Sequence, residues 1–262
     1  MSHFSIYAVP SQAFQQGPAA QDMEWNDPQL FKDLIPVRGL AMASVPGQKA
    51  PQTQHEMPQW RPTKVYPPER YIAGAVQTVF HGISRLPMVA RVTLADYRGF
   101  ILYDTYVRPT LTTEHAHSQP VSDYRTAETG LTAGHLAGAP PFPEVQQRVA
   151  MMLRGKILVG YALWEFLSVM GLSHPAIDTR DIALFLPFRR SLRYRPNVQV
   201  PLVTLVNSFM GRNIGLHGDI PVEHARAALD LFRSCEQVWE GVIAAGSWPC
   251  ALPPDAYANC FN

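Results

Sequence analysis

A chain of 262 residues, 47% of them hydrophobic and 16% charged, fits one globular core with some unpacked segments, since single cores serve chains up to roughly 250 to 300 residues. Lys+Arg number 22 against Asp+Glu 21, so no strong overall field exists to drive nonspecific nucleic-acid binding. The three cysteines, Cys235, Cys250 and Cys260, are odd in number and form no C-x-x-C pair, which suggests neither a disulfide framework nor a zinc site.

The N-terminus shows no basic segment followed by an apolar run, and no stretch approaches the ~20 apolar residues that a membrane helix needs. The expectation is an intracellular protein with no membrane partner, nuclear or cytoplasmic unresolved. Residues 1–68 are rich in Pro, Gln, Ser and Ala without periodicity and read as a mostly disordered arm. Within it, Trp25, Leu30, Phe31, Leu34 and Ile35 form an apolar island that is a candidate docking segment for a protein partner, or a patch without function.

The folded core is expected over 69–246. Its first part holds β-branched and aromatic runs at 72–80, 88–94 and 100–107, which predict three strands of an antiparallel meander. Asp96-Tyr97-Arg98-Gly99 supplies the turn between the second and third, Gly tolerating the positive φ that such turns demand. A long connection over 109–141 then leads to apolar positions at three- and four-residue steps over 144–153, an amphipathic helix closed by Gly155.

A buried strand at 157–159, a helix at 162–170 ended by Gly171, and a last strand at 182–186 follow. Helices at 202–210 and 222–243 complete the chain, and 247–262 reads as an irregular tail. The predicted class is α/β: a mixed five-stranded sheet, meander first and parallel strands after, with helices on both faces.

Val121-Ser122-Asp123-Tyr124-Arg125-Thr126, then Gly130-Leu131-Thr132 and His135-Leu136-Ala137-Gly138-Ala139-Pro140, resemble the phrase after the third strand in the Rex-type RNA exonucleases and the interferon-stimulated exonuclease. Leu102-Tyr103-Asp104, Ile157-Leu158-Val159-Gly160, Leu172-Ser173-His174-Pro175 and Pro187-Phe188-Arg189 extend the likeness in order. It covers about residues 65 to 245 and implies a ribonuclease H-like fold of the DEDDh 3′-to-5′ exonuclease kind.

That resemblance implies a D-x-E pair on the first strand, an Asp on the helix after the fourth, and a His and an Asp before and on the last helix, together holding two divalent ions ~4 Å apart. In this chain Ala75 and Gln77 stand at the acid pair and Phe166 at the helical Asp. Glu165 lies roughly 100° around the helix from Phe166. Asp219 takes the His place and His224 the Asp place, an exchange of the two types.

On these five degenerate positions the sequence predicts a pseudoenzyme with no catalytic residue, metal or cofactor, serving as a module that binds RNA, other single-stranded nucleic acid or a protein. The alternatives are an active or residually active exonuclease on RNA, which would need Mg²⁺ or Mn²⁺, and a regulatory subunit without a nucleic-acid role. Arg189, Arg190, Arg193 and Arg195 are candidates to track a phosphate backbone, a solvated surface being the competing reading. Trp164 is a candidate stacking face for a base, against packing in the core.

Three further clusters carry acidic or metal-binding residue types. Asp22 and Glu24 have D-x-E spacing but no strand pattern around them. Glu114, His115 and His117 could suggest a metal cluster but lie in a polar loop. Asp178 and Asp181 read as structural capping or an ion pair with Arg180.

Overall fold

The computed structural model describes residues 66–109, 121–195 and 198–262. The apolar island of the arm, the Asp22/Glu24 pair and the Glu114, His115 and His117 cluster lie outside the described residues. Strands β1 (Tyr71–His81), β2 (Leu86–Asp96) and β3 (Ile101–Tyr106) form the expected antiparallel meander. Strands β4 (Ile157–Gly160) and β5 (Thr179–Asp181) add in parallel beside β1, giving one five-stranded sheet in the order β3-β2-β1-β4-β5.

The turn between β2 and β3 forms as the sequence predicts. Gly99 sits at φ +87° and donates its N–H to the Asp96 carbonyl at 2.9 Å, while the Asp96 carboxylate accepts from the backbone of Arg98 and Phe100. The side chain thus offers the backbone a local partner, which is why Asp favours such turns.

Helices α1 (Thr126–Thr129), α2 (Ala133–Ala137), α3 (Phe142–Leu153), α4 (Leu163–Met170), α5 (Leu186–Ser191), α6 (Leu202–Met210) and α7 (Pro221–Ala244) surround the sheet. Strand alternation sorts their partners. Tyr71, Ala73, Ile157 and Val159 face a core built with α5, α6 and α7. Ile72, Leu94 and Leu158 face the opposite core, filled by Val145, Val149 and Leu153 of α3 and by Leu163, Phe166 and Leu167 of α4.

One sequence expectation needs correction, and two others gain detail. The connection over 109–141 is not featureless, because α1 and α2 lie within it. Residues 182–186 are not a strand: the last strand is β5, ending at Asp181, and the chain turns at once into α5. The apolar run Ile182-Ala183-Leu184-Phe185 is buried, but Asp181 Oδ1 accepts from the Ala183 N–H at 2.9 Å and folds the backbone back. The irregular tail, finally, packs on the domain. Ala251 donates to the Leu184 carbonyl at 2.8 Å, His174 to that of Cys260 at 3.0 Å, and the chain ends around a 3-10 turn at Asp255–Cys260.

Where β4 runs into α4 the backbones of β1 and β4 close tightly. A Cβ added at Gly160 would stand 2.9 Å from the Gly74 carbonyl oxygen and 2.5 Å from Leu163 Cδ2. Gly160→Ala is therefore expected to destabilise the fold by ~1–3 kcal/mol, the usual cost of overpacking; urea unfolding checks this, and an unchanged midpoint would show that the strands can part. Among the described residues no helix is long and apolar enough to cross a membrane.

Candidate active site

A cleft of about 470 Å³ opens where β1, α4 and the start of α7 meet, with Ala75, Phe166, Asp219 and His224 on its wall. Ala75 and Gln77 share one face of β1 through the two-residue period of the strand. Gln77 is 2% exposed and lies behind the wall, where its Nε2 donates to the Asp219 carbonyl at 2.5 Å and to the Thr129 carbonyl at 2.8 Å. The fold thus brings together all five positions singled out in the sequence.

Phe166 is 2% exposed and its ring crosses β1, with Cε2 3.3 Å from where a Gly74 Cβ would be. It belongs to the core under α3 and α4 while its edge reaches the cleft. The α4 N-terminus is capped across the fold. Asp181 accepts from the backbone of Ala162 at 3.0 Å and Leu163 at 2.7 Å, satisfying donors that a helix start leaves without partners. Burial pushes the Asp181 carboxyl up to about 7, against the opposing pull of those N–H groups. Capping was one of the two roles expected for Asp181; Arg180 pairs instead with Glu240.

At the mouth of α7, His224 Nδ1 lies 3.2 Å from Asp219 Oδ1, with 29% and 27% of the two side chains exposed. The sequence places them five residues apart, and the helix start at Pro221 folds one back on the other. Arg125 lines the same cleft. It adopts a left-handed backbone at φ +52°. Its Nε donates to Glu128 at 2.7 Å and its Nη1 to Thr78 Oγ1 at 3.2 Å, which hold the guanidinium in place.

Arg125 is the cleft residue that sequence reading passed over. It stood in the quoted Asp123-Tyr124-Arg125-Thr126 phrase, but nothing in its spacing marked it as facing the site. Glu165, set aside as pointing away from Phe166, also lines the cleft, because the opening wraps around the end of α4 and admits both neighbours.

The nucleic-acid candidates fare differently. Trp164 is 3% exposed within the core and offers no face for a base. Arg189 is 5% exposed, its guanidinium donating to the Ala183 carbonyl at 2.9 Å, since the turn after β5 needs a donor there. Arg190, Arg193 and Arg195 are exposed, and none of the four arginines lines the cleft.

Two divalent ions require several hard oxygen ligands. The five positions supply a methyl, a carboxamide whose nitrogen is already turned to two carbonyls, a phenyl ring, one carboxylate and one imidazole. Among the described residues no group of three or more His, Cys, Asp or Glu is placed to hold a metal ion. The residues do not fit a two-ion centre.

No family model matches the chain. Its structure resembles the Pan2 catalytic unit of Neurospora crassa, with a TM-score of 0.53 at 19% identity over 71% of this chain and 29% of that one. A Saccharomyces cerevisiae Pan2 pseudoubiquitin hydrolase-RNA exonuclease module in complex with A7 RNA gives 0.54 at 19% identity over 71% and 32%. The fold, a mixed five-stranded sheet with helices, is ribonuclease H-like and matches that of these Pan2 modules.

In sequence the chain is 33% identical over 168 residues to the apoptosis-enhancing nuclease of Homo sapiens, 63% of this chain and 49% of that protein. It is 36% identical over 158 residues to RNA exonuclease 4 of Mycosarcoma maydis, 60% and 39%. The chain thus spans half or less of the length of these two relatives. The matched proteins are named as nucleases and RNA exonucleases.

They also correct the expectation of a pseudoenzyme. Relatives identical at about a third of the aligned positions are named as nucleases and RNA exonucleases, so the alternative drawn from the same residues, a metal-dependent exonuclease acting on RNA, accords better with them.

Proposed function

We propose that this chain acts on the 3′ end of RNA strands as an exonuclease, with the Asp219–His224 pair as the acid–base group of its cleft. The observation that carries this reading is the 3.2 Å approach of His224 Nδ1 to the Asp219 carboxylate inside the cleft, in a fold shared with RNA exonuclease modules. An imidazole whose Nδ1–H donates to a carboxylate keeps the lone pair of Nε2 for a proton. A positioned base of this kind contributes about 10²- to 10⁴-fold to rate.

The atoms and protons of the step balance between water, His224 and the strand. Water attacks the terminal phosphorus and gives its proton to His224 Nε2. The bond from phosphorus to the 3′ oxygen of the penultimate nucleotide breaks, and that oxygen takes a proton back. The products are a nucleoside 5′-monophosphate and a strand one residue shorter. Arg125, fixed by Glu128 and Thr78, sets a cation where phosphate oxygens gather charge.

The test is a 5′-labelled single-stranded RNA incubated with the full chain, with excess Mg²⁺ or Mn²⁺ and with chelator. Stepwise shortening from the 3′ end is the expected result. A strand left intact under every condition overturns the proposal.

A further inference from the structure

The mismatch between this cleft and a two-ion centre points to what assembles it instead. The carbonyl oxygens of Thr129, at the end of α1, and Asp219, before α7, both point at one spot behind β1, and Gln77 Nε2 donates to both, at 2.8 and 2.5 Å. The two segments are further tied by the Asp219 N–H to the Glu128 carbonyl at 2.8 Å. They meet so closely that a Cβ at Gly218 would lie 2.8 Å from that same oxygen.

Two carbonyl dipoles converging in a buried place repel each other unless something positive lies between them. We propose that the Gln77 carboxamide does the work of a cation here: its two N–H bonds draw the α1 and α7 ends onto β1 and so set Asp219 against His224. Gln77 is a positioning residue in the cleft as read above, acting through Asp219.

The amide orientation follows from the network. A flipped side chain would place Oε1 against both carbonyls. The cost of the observed orientation is visible, since Gln77 Oε1 is buried with no hydrogen-bond partner. An orphaned acceptor of this kind is costly, so the two donated bonds must outweigh it. A hydrocarbon side chain would avoid the orphan but leave both carbonyls facing nothing.

The idea makes a contrasting forecast for Gln77→Glu. The new carboxylate would meet two carbonyl oxygens, a repulsive group of three that becomes a hard-oxygen ligand set once a divalent ion enters. With chelator, the Tm of Gln77→Glu is expected to fall by ~10 °C and that of Gln77→Ala by less, on the usual conversion of stability to temperature for a domain of this size. Excess Mn²⁺ should restore at least half of the loss in Gln77→Glu and none in Gln77→Ala.

The unaltered chain should melt at the same temperature in both media. Mn²⁺ should broaden the amide resonances of Thr129 and Asp219 in Gln77→Glu and leave them sharp in the unaltered chain. Broadening at those amides in the unaltered chain, or a Gln77→Glu variant as stable as its parent in chelator, would overturn the inference. Neither readout uses RNA, so a failure to trim RNA strikes the proposed activity and leaves this inference standing, and the converse also holds.

Discussion

Replacing Glu240 by alanine is expected to destabilise the fold by about 3–5 kcal/mol, the range for removing one partner of a buried ion pair. Arg180 of β5 and Glu240 of α7 are 1% and 3% exposed. The guanidinium engages both carboxylate oxygens, Nε at 2.7 Å and Nη2 at 2.9 Å, and Nη1 donates to the carbonyls of Ile177 and Thr179. Tyr71 of β1 adds its hydroxyl to the same carboxylate at 3.3 Å.

Burial, and then the charge of Glu240, hold the Tyr71 phenol well above its ordinary range, so it stays a neutral donor. Alanine at 240 would strand a fully enclosed cation. The double variant Arg180→Met, Glu240→Leu is the informative companion, because an apolar pair of similar volume removes the stranded charge and often restores stability. Urea unfolding of both settles the matter. A loss below about 1 kcal/mol for Glu240→Ala would mean that water reaches Arg180 and that the pair does little to hold α7 against the sheet edge.

The meander, the two long helices and the fold class were legible because their signals are local: alternating or 3.6-residue apolar spacing, and Gly99, Gly155 and Gly171 at positive φ. What escaped depended on partners distant in sequence. Ile182 to Phe185 read as a strand, since a buried apolar run looks alike in either state. The turn comes from the Asp181 carboxylate, and the burial comes partly from the C-terminal tail bonding back to Leu184 and Leu186. Arg189 read as surface because charge normally is, yet that turn presents it with the Ala183 carbonyl.

The site divided in the same way. Ala75 and Gln77 share a strand face, and Asp219 and His224 bracket a helix start, and it was the resemblance to the exonuclease motifs that grouped them. That resemblance could not show that Gln77 would reach Thr129 and Asp219 instead of the open cleft, nor that Arg125 would line the cleft, held by Glu128 and Thr78. Both facts belong to the meeting of α1 with the α7 N-terminus, which no short window of sequence contains.

The largest effect on activity is expected from His224→Ala, which should slow trimming of the RNA 3′ end by about 10²- to 10⁴-fold, the contribution of a positioned general base. Asp219→Asn should follow it closely. An amide can accept the Nδ1–H through its oxygen or donate to Nδ1 through its nitrogen, and in the second case the ring carries its proton on Nε2, where a base must be bare. Rates are read with Mg²⁺ or Mn²⁺ and again with chelator. If His224→Ala trims as fast as its parent, the base lies elsewhere; if trimming stops on chelation while both variants behave alike, ligands outside these five residues hold the reacting metal.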